Sequence, residues 1–358
     1  VWFRAVVVAL LFPVLAFAQE FRPATAGYDF DFPRDHGTHD EYRTEWWYYT
    51  GHLYTESGAR YGFELTFFRV GIVPPNVPTP GSRWDLRNLS LAHFAITDVA
   101  GKRFRYYEKL NRTSPFTANA AAGHLDVFNE AWSATTRSDG AWQLAARAGS
   151  DVIDLTLRTR KPPAIHGENG ISVKAEGAGF ASHYYSMTRL EATGVVNGAK
   201  CRGTVWMDHE FGSSALRESQ QGWDWFSIQF DDESELMIYL IRRADGSADV
   251  TSSGSFIGPD GSVIHLTRDQ LRVAVLDRWK SPHTKATYPM GWRVDVPQLG
   301  ISATLTPLLR DQELVTRGST NVTYWEGAVV VSGTFRNTAV GGDGYVEMTG
   351  YDRAFRAP

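Results

Sequence analysis

The chain has 358 residues, of which 43% are hydrophobic and 21% charged, a globular composition long enough for two domains. Its formal net charge of -4 gives no basic surface for a polyanion, so no nucleic-acid partner is expected. Cys201 is the single cysteine, which excludes an internal disulfide and a cysteine-based metal site.

Residues 1–18 read as a cleavable secretory signal: Arg4 supplies a positive charge, an apolar run follows, and Ala16-Phe17-Ala18 is a small-residue cleavage site. The protein is therefore expected to be exported, either periplasmic or secreted. Residues 19–44 are polar and irregular. They hold Asp35-His36-Gly37-Thr38-His39, a His-x-x-His spacing with acids nearby. Such a set could hold zinc, but no third ligand is dictated, and the expectation is no metal and no cofactor.

The run Glu45-Trp46-Trp47-Tyr48-Tyr49 then opens a strongly β-prone stretch, and 61–69 after a polar turn completes a hairpin. Residues 73–83, rich in proline, form a loop. Strands are expected at 91–97, 104–109, 124–134, 141–147, 152–159, 171–175, 183–196 and 201–211. The second half continues in the same style, with 223–230, 236–242, 293–296, 301–305, 321–335 and 344–351 as strands and 276–288 ambiguous. No amphipathic helix longer than two or three turns is visible. Short strands between frequent turns indicate barrels or sandwiches. Glu45-Trp46-Trp47 and Trp223-Asp224-Trp225 open similar strand–turn–strand units, which suggests an internal duplication joined near Ser213 and Leu216.

The stretch Trp206-Met207-Asp208-His209-Glu210-Phe211-Gly212 carries the densest chemistry. Side chains alternate along a strand, so Trp206, Asp208 and Glu210 share one face, and Met207, His209 and Phe211 share the other. Two carboxyls about 7 Å apart can hold one proton above its ordinary pKa.

Taken together, Asp35-His-Gly-x-His39, Glu45-Trp-Trp-Tyr-Tyr-x-Gly-x-Leu53, Trp206-Met-Asp-His-Glu-Phe-Gly212 and Gly222-Trp-Asp-Trp225 resemble the secreted AttH-like proteins. That lipocalin-like family also includes the carotenoid 1,2-hydratases (hydroxyneurosporene synthases). The resemblance covers almost all of the chain after the signal. It implies an all-β fold of two lipocalin-like (calycin) barrels packed together, 30–212 and 213–358, with a largely apolar cavity. The hydratase members add water across an isolated carbon–carbon double bond.

Two functions fit these residues. One is an enzyme that hydrates a C=C bond in an isoprenoid or lipid-like ligand. Asp208 would be the acid, Glu210 and His209 its assistants, and Trp46, Trp47, Trp206, Trp223 and Trp225 a wall stabilising a cation. The other is a non-catalytic carrier or transporter-accessory protein for a hydrophobic small molecule, working near a membrane surface. Asp208 and Glu210 could equally bond loop amides or an arginine such as Arg189, and His209 could be a core histidine. Glu45, His36 and His39 are candidates for a structural polar network, as is Glu64.

Overall fold

The computed structural model describes residues 20–356 except positions 83, 84, 169, 178 and 215. The expected signal segment lies outside the described residues. The fold is all-β, with two curled antiparallel sheets of the lipocalin-like kind and only three short 3-10 turns among the described residues.

The first sheet opens with a four-strand meander, Thr44–Thr55, Arg60–Gly71, Asn88–Asp98 and Arg103–Arg112. The free edge of Thr44–Thr55 is taken by the last long strand, Ala199–Gly212, which also pairs with Ala181–Val196. The second sheet repeats this wiring. Its meander is Gln220–Phe230, Glu235–Arg243, Ser253–Ile257 and Val263–Thr267, and Thr338–Thr349 returns to pair with Gln220–Phe230. The shared connectivity is what a duplicated unit would leave.

Most expected strands are present. The expected strand at 124–134 is instead two, Asp126–Asn129 and Trp132–Thr136. The turn between them uses Glu130 at φ 54°, a left-handed position with no glycine to announce it. The Ser253–Ile257 and Val263–Thr267 strands were not legible as strands, because serine and glycine dominate the first.

Each sheet curls around its own apolar core. Trp47, Tyr49, Phe63, Leu65 and Met207 pack inside the first, and Phe226, Ile238, Trp292 and Val346 inside the second. A third cluster belongs to both: Tyr48, Tyr184 and Trp206 from the first sheet meet Trp225, Tyr239 and Tyr345 from the second. The sheets touch where Gly62 lies against Ala328; a Cβ at position 62 would stand 2.6 Å from the alanine methyl. Polar pairs fix the join. His52 Nε2 lies 2.8 Å from the Gly344 carbonyl oxygen, and the Tyr54 hydroxyl donates to Asp343 at 2.6 Å. Buried Glu235 receives Lys161 at 2.7 Å and Arg189 at 2.5 Å. Arg189 reaches it from an irregularity between Met187 and Leu190, where an extra residue turns the side chain toward the other sheet.

Candidate active site between the two sheets

The ladder register explains how the site is built. Asp208 stands opposite Tyr48 on one side and Ser186 on the other; Glu210 stands opposite Trp46 and Tyr184. Opposed residues share a face, and this face looks away from the first core toward the second sheet. From there, Trp223, Trp225, Tyr239 and Glu347 complete a cavity of about 220 Å³ with a mainly apolar wall.

Asp208 is buried, and its carboxyl accepts three hydrogen bonds. Tyr184 donates to Oδ2 at 2.6 Å, while Trp206 Nε1 at 2.5 Å and the Ser186 hydroxyl donate to Oδ1. Burial drives its pKa up, the three donors pull it down, the Glu210 charge pushes it up again, and the result is about 7. Glu210 does not act mainly through repulsion. Its carboxylate receives Ser182 at 2.5 Å and Lys174 Nζ at 2.8 Å. The ammonium lies 4.3 Å from the Tyr239 ring centre, and Glu210 holds its pKa up against the cost of burial. Arg189, one possible partner for these acids, pairs with Glu235 instead.

Further carboxyls surround the cavity. Glu347 accepts from Trp223 Nε1 at 3.0 Å, and burial raises its pKa to about 7. Glu64, also in the lining, accepts from the Thr66 hydroxyl at 2.6 Å, and burial raises it to about 8. Glu326 stands opposite Glu347 in its ladder and accepts from Tyr48 at 2.6 Å. Burial and the acids Glu64 and Glu347 hold its proton far above the ordinary carboxyl range. No cation pairs with Glu64, Glu326 or Glu347 among the described residues.

Trp46, Trp223 and Trp225 line the cavity, and Trp206 sits behind it on Asp208. Two expected site residues lie elsewhere. Trp47 is adjacent to Trp46, so it points the opposite way. It donates to the His36 carbonyl at 3.0 Å, stacks on His209, and borders a separate hollow of about 100 Å³. His209 is likewise on the far face from Asp208, with no bulge at that point to rotate it. Its Nε2 lies 2.9 Å from Glu45 Oε1, and its Nδ1 lies 3.0 Å from the Tyr185 hydroxyl. It is not an assistant to Asp208.

The network inferred for Glu45 is present. Glu45 meets His39 at 2.8 Å and Arg69 at 2.9 Å. Arg69, His209 and His39 hold the Glu45 carboxyl well below the usual range despite burial. His36 joins through the Tyr185 hydroxyl at 2.7 Å. His39, Glu45 and His209 do bring three potential ligand atoms within 4.8 Å of one another. Asp35 and Glu45 outweigh burial and raise His39 to about 9, so both its nitrogens carry protons, donated to those two acids. With Arg69 already on Glu45, the donor set fits a hydrogen-bonded brace rather than a metal.

Lys174, Tyr184, Ser186 and Glu347 were not singled out from sequence as members of the site. Glu326 and Glu347 leave one faint signal, acids set beside core residues of their strands, Trp325 before Glu326 and Val346 and Met348 on either side of Glu347.

Comparison with known proteins agrees with this architecture. The AttH-like family model matches residues 23–351. The crystal structure of a candidate AttH protein from Nitrosomonas europaea superposes with a TM-score of 0.82 and 34% identity, covering 92% of this chain and 99% of that one. Kievitone hydratase from Nectria haematococca shares the fold, with a TM-score of 0.68 at 16% identity over 94% of this chain and 98% of that one. In sequence, kievitone hydratase from Fusarium solani subsp. phaseoli is 29% identical over 154 residues, 40% of each protein.

Proposed function

Since the chain belongs to the AttH-like family, we propose that it is a hydratase that adds water across a C=C bond of a hydrophobic ligand, with Asp208 as the proton donor. The observation that carries this reading is a buried carboxyl with a pKa of about 7, set in an aromatic-walled cavity between two sheets. The partial sequence match to a protein named as a hydratase supports the same reaction class.

In the reaction, the π electrons of the alkene take the Asp208 proton and form the new C–H bond. The other carbon becomes a cation. The faces of Trp46 and Trp223 favour that charge, by roughly 2 kcal/mol or more each when dry. The lone pair of a water forms the C–O bond, and the surplus proton passes to a cavity carboxylate, either Asp208 or Glu347. Water has been added and no oxidant or reductant is consumed. Lys174 pairs with Glu210 and fixes its carboxyl beside Asp208. A cavity of about 220 Å³ is smaller than the roughly 300 Å³ of ordinary small-molecule sites, so it suits the reacting end of a long ligand.

The test is incubation of the purified protein with a panel of isoprenoid alkenes in heavy-oxygen water, read by mass spectrometry. Label in a new hydroxyl, lost in Asp208→Asn while ligand affinity is kept, supports the hydratase. The mainly apolar wall also fits a carrier for the same class of ligand. Binding without label in either protein would establish that second reading.

A further inference from the structure

Behind Asp208, on the side away from the cavity, a line of buried groups crosses from one sheet to the other. The Ser186 hydroxyl donates to Asp208 Oδ1. His166 Nε2 lies 2.6 Å from the Ser186 oxygen, and His166 Nδ1 lies 2.9 Å from the Ser255 oxygen. His166, Ser186 and Ser255 are 0%, 0% and 1% exposed, so bulk water reaches none of these links directly. The local chain explains the placement. Ala164 and Ile165 pair with Ser186 and Tyr185, and the His166 amide donates to the Tyr184 carbonyl at 2.9 Å. This sets the imidazole 4.3 Å from the Tyr184 ring and in line with Ser186.

Ser255 belongs to the second sheet, and its ladder partner is His265 on Val263–Thr267, an edge strand. Opposed residues share a face. His265 is only half-buried, and its Nδ1 makes no hydrogen bond. The hydrogen-bonded line therefore runs from Ser255 to the proposed acid, with the half-buried His265 beside its outer end in the ladder.

We propose that Ser255, His166 and Ser186 form a proton relay that exchanges the Asp208 proton with solvent through the wall of the site rather than through the cavity. The relay rests on the reading of Asp208 as the proton donor. One transfer moves a proton from the Ser255 hydroxyl to His166 Nδ1. The Nε2 proton passes to the Ser186 oxygen, and the Ser186 proton passes to Asp208 Oδ1. A solvent proton, arriving at Ser255 from the edge strand that carries His265, replaces the one Ser255 lost, and the imidazole is left as its other tautomer. No atom but hydrogen changes place. The neutral imidazole this needs is favoured by burial, with Lys174 and His265 acting in the same direction. The consequence is an acid that can be recharged while ligand still fills the cavity, even when the surplus proton of hydration has gone to Glu347.

The test uses the full chain and no substrate. The protonated carboxyl band of Asp208 is assigned in the infrared by its loss in Asp208→Asn, and its hydrogen–deuterium exchange is timed after mixing with heavy water. His166→Gln keeps a donor and an acceptor in place but cannot pass a proton between two ring nitrogens. Exchange is expected to slow by about tenfold or more, with the titration midpoint of the band unmoved. Ser255→Ala cuts the relay without touching a group bonded to Asp208, and it is expected to slow exchange similarly. Wild-type exchange in Ser255→Ala, or in a folded His166→Gln, overturns the relay. Because no ligand is present, that result would leave the hydration assay standing, and a failed hydration assay would leave this one readable.

Discussion

Asp208 gathers opposing influences on one carboxyl. Burial favours the neutral acid, while three hydrogen-bond donors favour the anion, and the balance falls at about pH 7. Replacing it with asparagine keeps the shape and removes the proton, so turnover should fall by about a hundredfold or more with ligand affinity kept; steady-state rates beside calorimetric binding check this. For a proton donor the rate should also fall as pH rises through about 7, and a rate flat from acid to alkaline pH would count against Asp208. Glu64 makes the same physics visible in stability. Its pKa is raised from 4.5 to about 8, so the folded state keeps a proton that the unfolded chain gives up. That stabilisation is whole below 4.5 and is lost as pH rises through about 8. Glu64→Gln keeps an acceptor for Thr66 and removes the titration. Melting temperatures at about pH 5 and about pH 9 should therefore lie closer together in the variant than in the wild type.

Alternation along the Thr44–Thr55 strand separates two adjacent indoles. Trp46 faces the cavity and Trp47 the first core, so the two alanine variants should fail in different ways. Trp46→Ala should weaken ligand uptake and leave the melting temperature nearly unchanged. Trp47→Ala should cost about 3–5 kcal/mol in a denaturant titration. The same alternation made half of the site legible in sequence. Asp208 and Glu210 lie on one strand, and their common face follows from the period of two. It also put His209 on the far face, and only a bulge that the strand lacks could have brought it round. What alternation cannot supply is the partner strand. Tyr184, Ser186 and Lys174 reach the acids through a register set by Ala181–Val196, and Glu347 arrives from the second sheet. Those encounters depend on long-range pairing, which leaves no mark within a short window. The Glu45 brace was more accessible, because Asp35, His39 and Glu45 lie within one short stretch of chain and a buried acid calls for partners.

Between the sheets, buried Glu235 takes both Lys161 and Arg189. Glu235→Gln would leave Lys161 buried without its counter-charge, a loss of about 3 kcal/mol or more. Thermal unfolding should show it, with the cavity variants unaffected. Because walls from both sheets line the cavity, ligand should stabilise them as one unit. A ligand at a hundred times its dissociation constant adds about 2.7 kcal/mol and should sharpen any two-step melt into one.

The wiring of the sheets also bears on how the chain is made. Thr44–Thr55 gains its second neighbour only when Ala199–Gly212 has been synthesised, and until then its Trp-Trp-Tyr-Tyr edge has unpaired amides and carbonyls. Nascent chains stalled before that point should cling to holdase chaperones and aggregate when released, whereas chains extended past it should not.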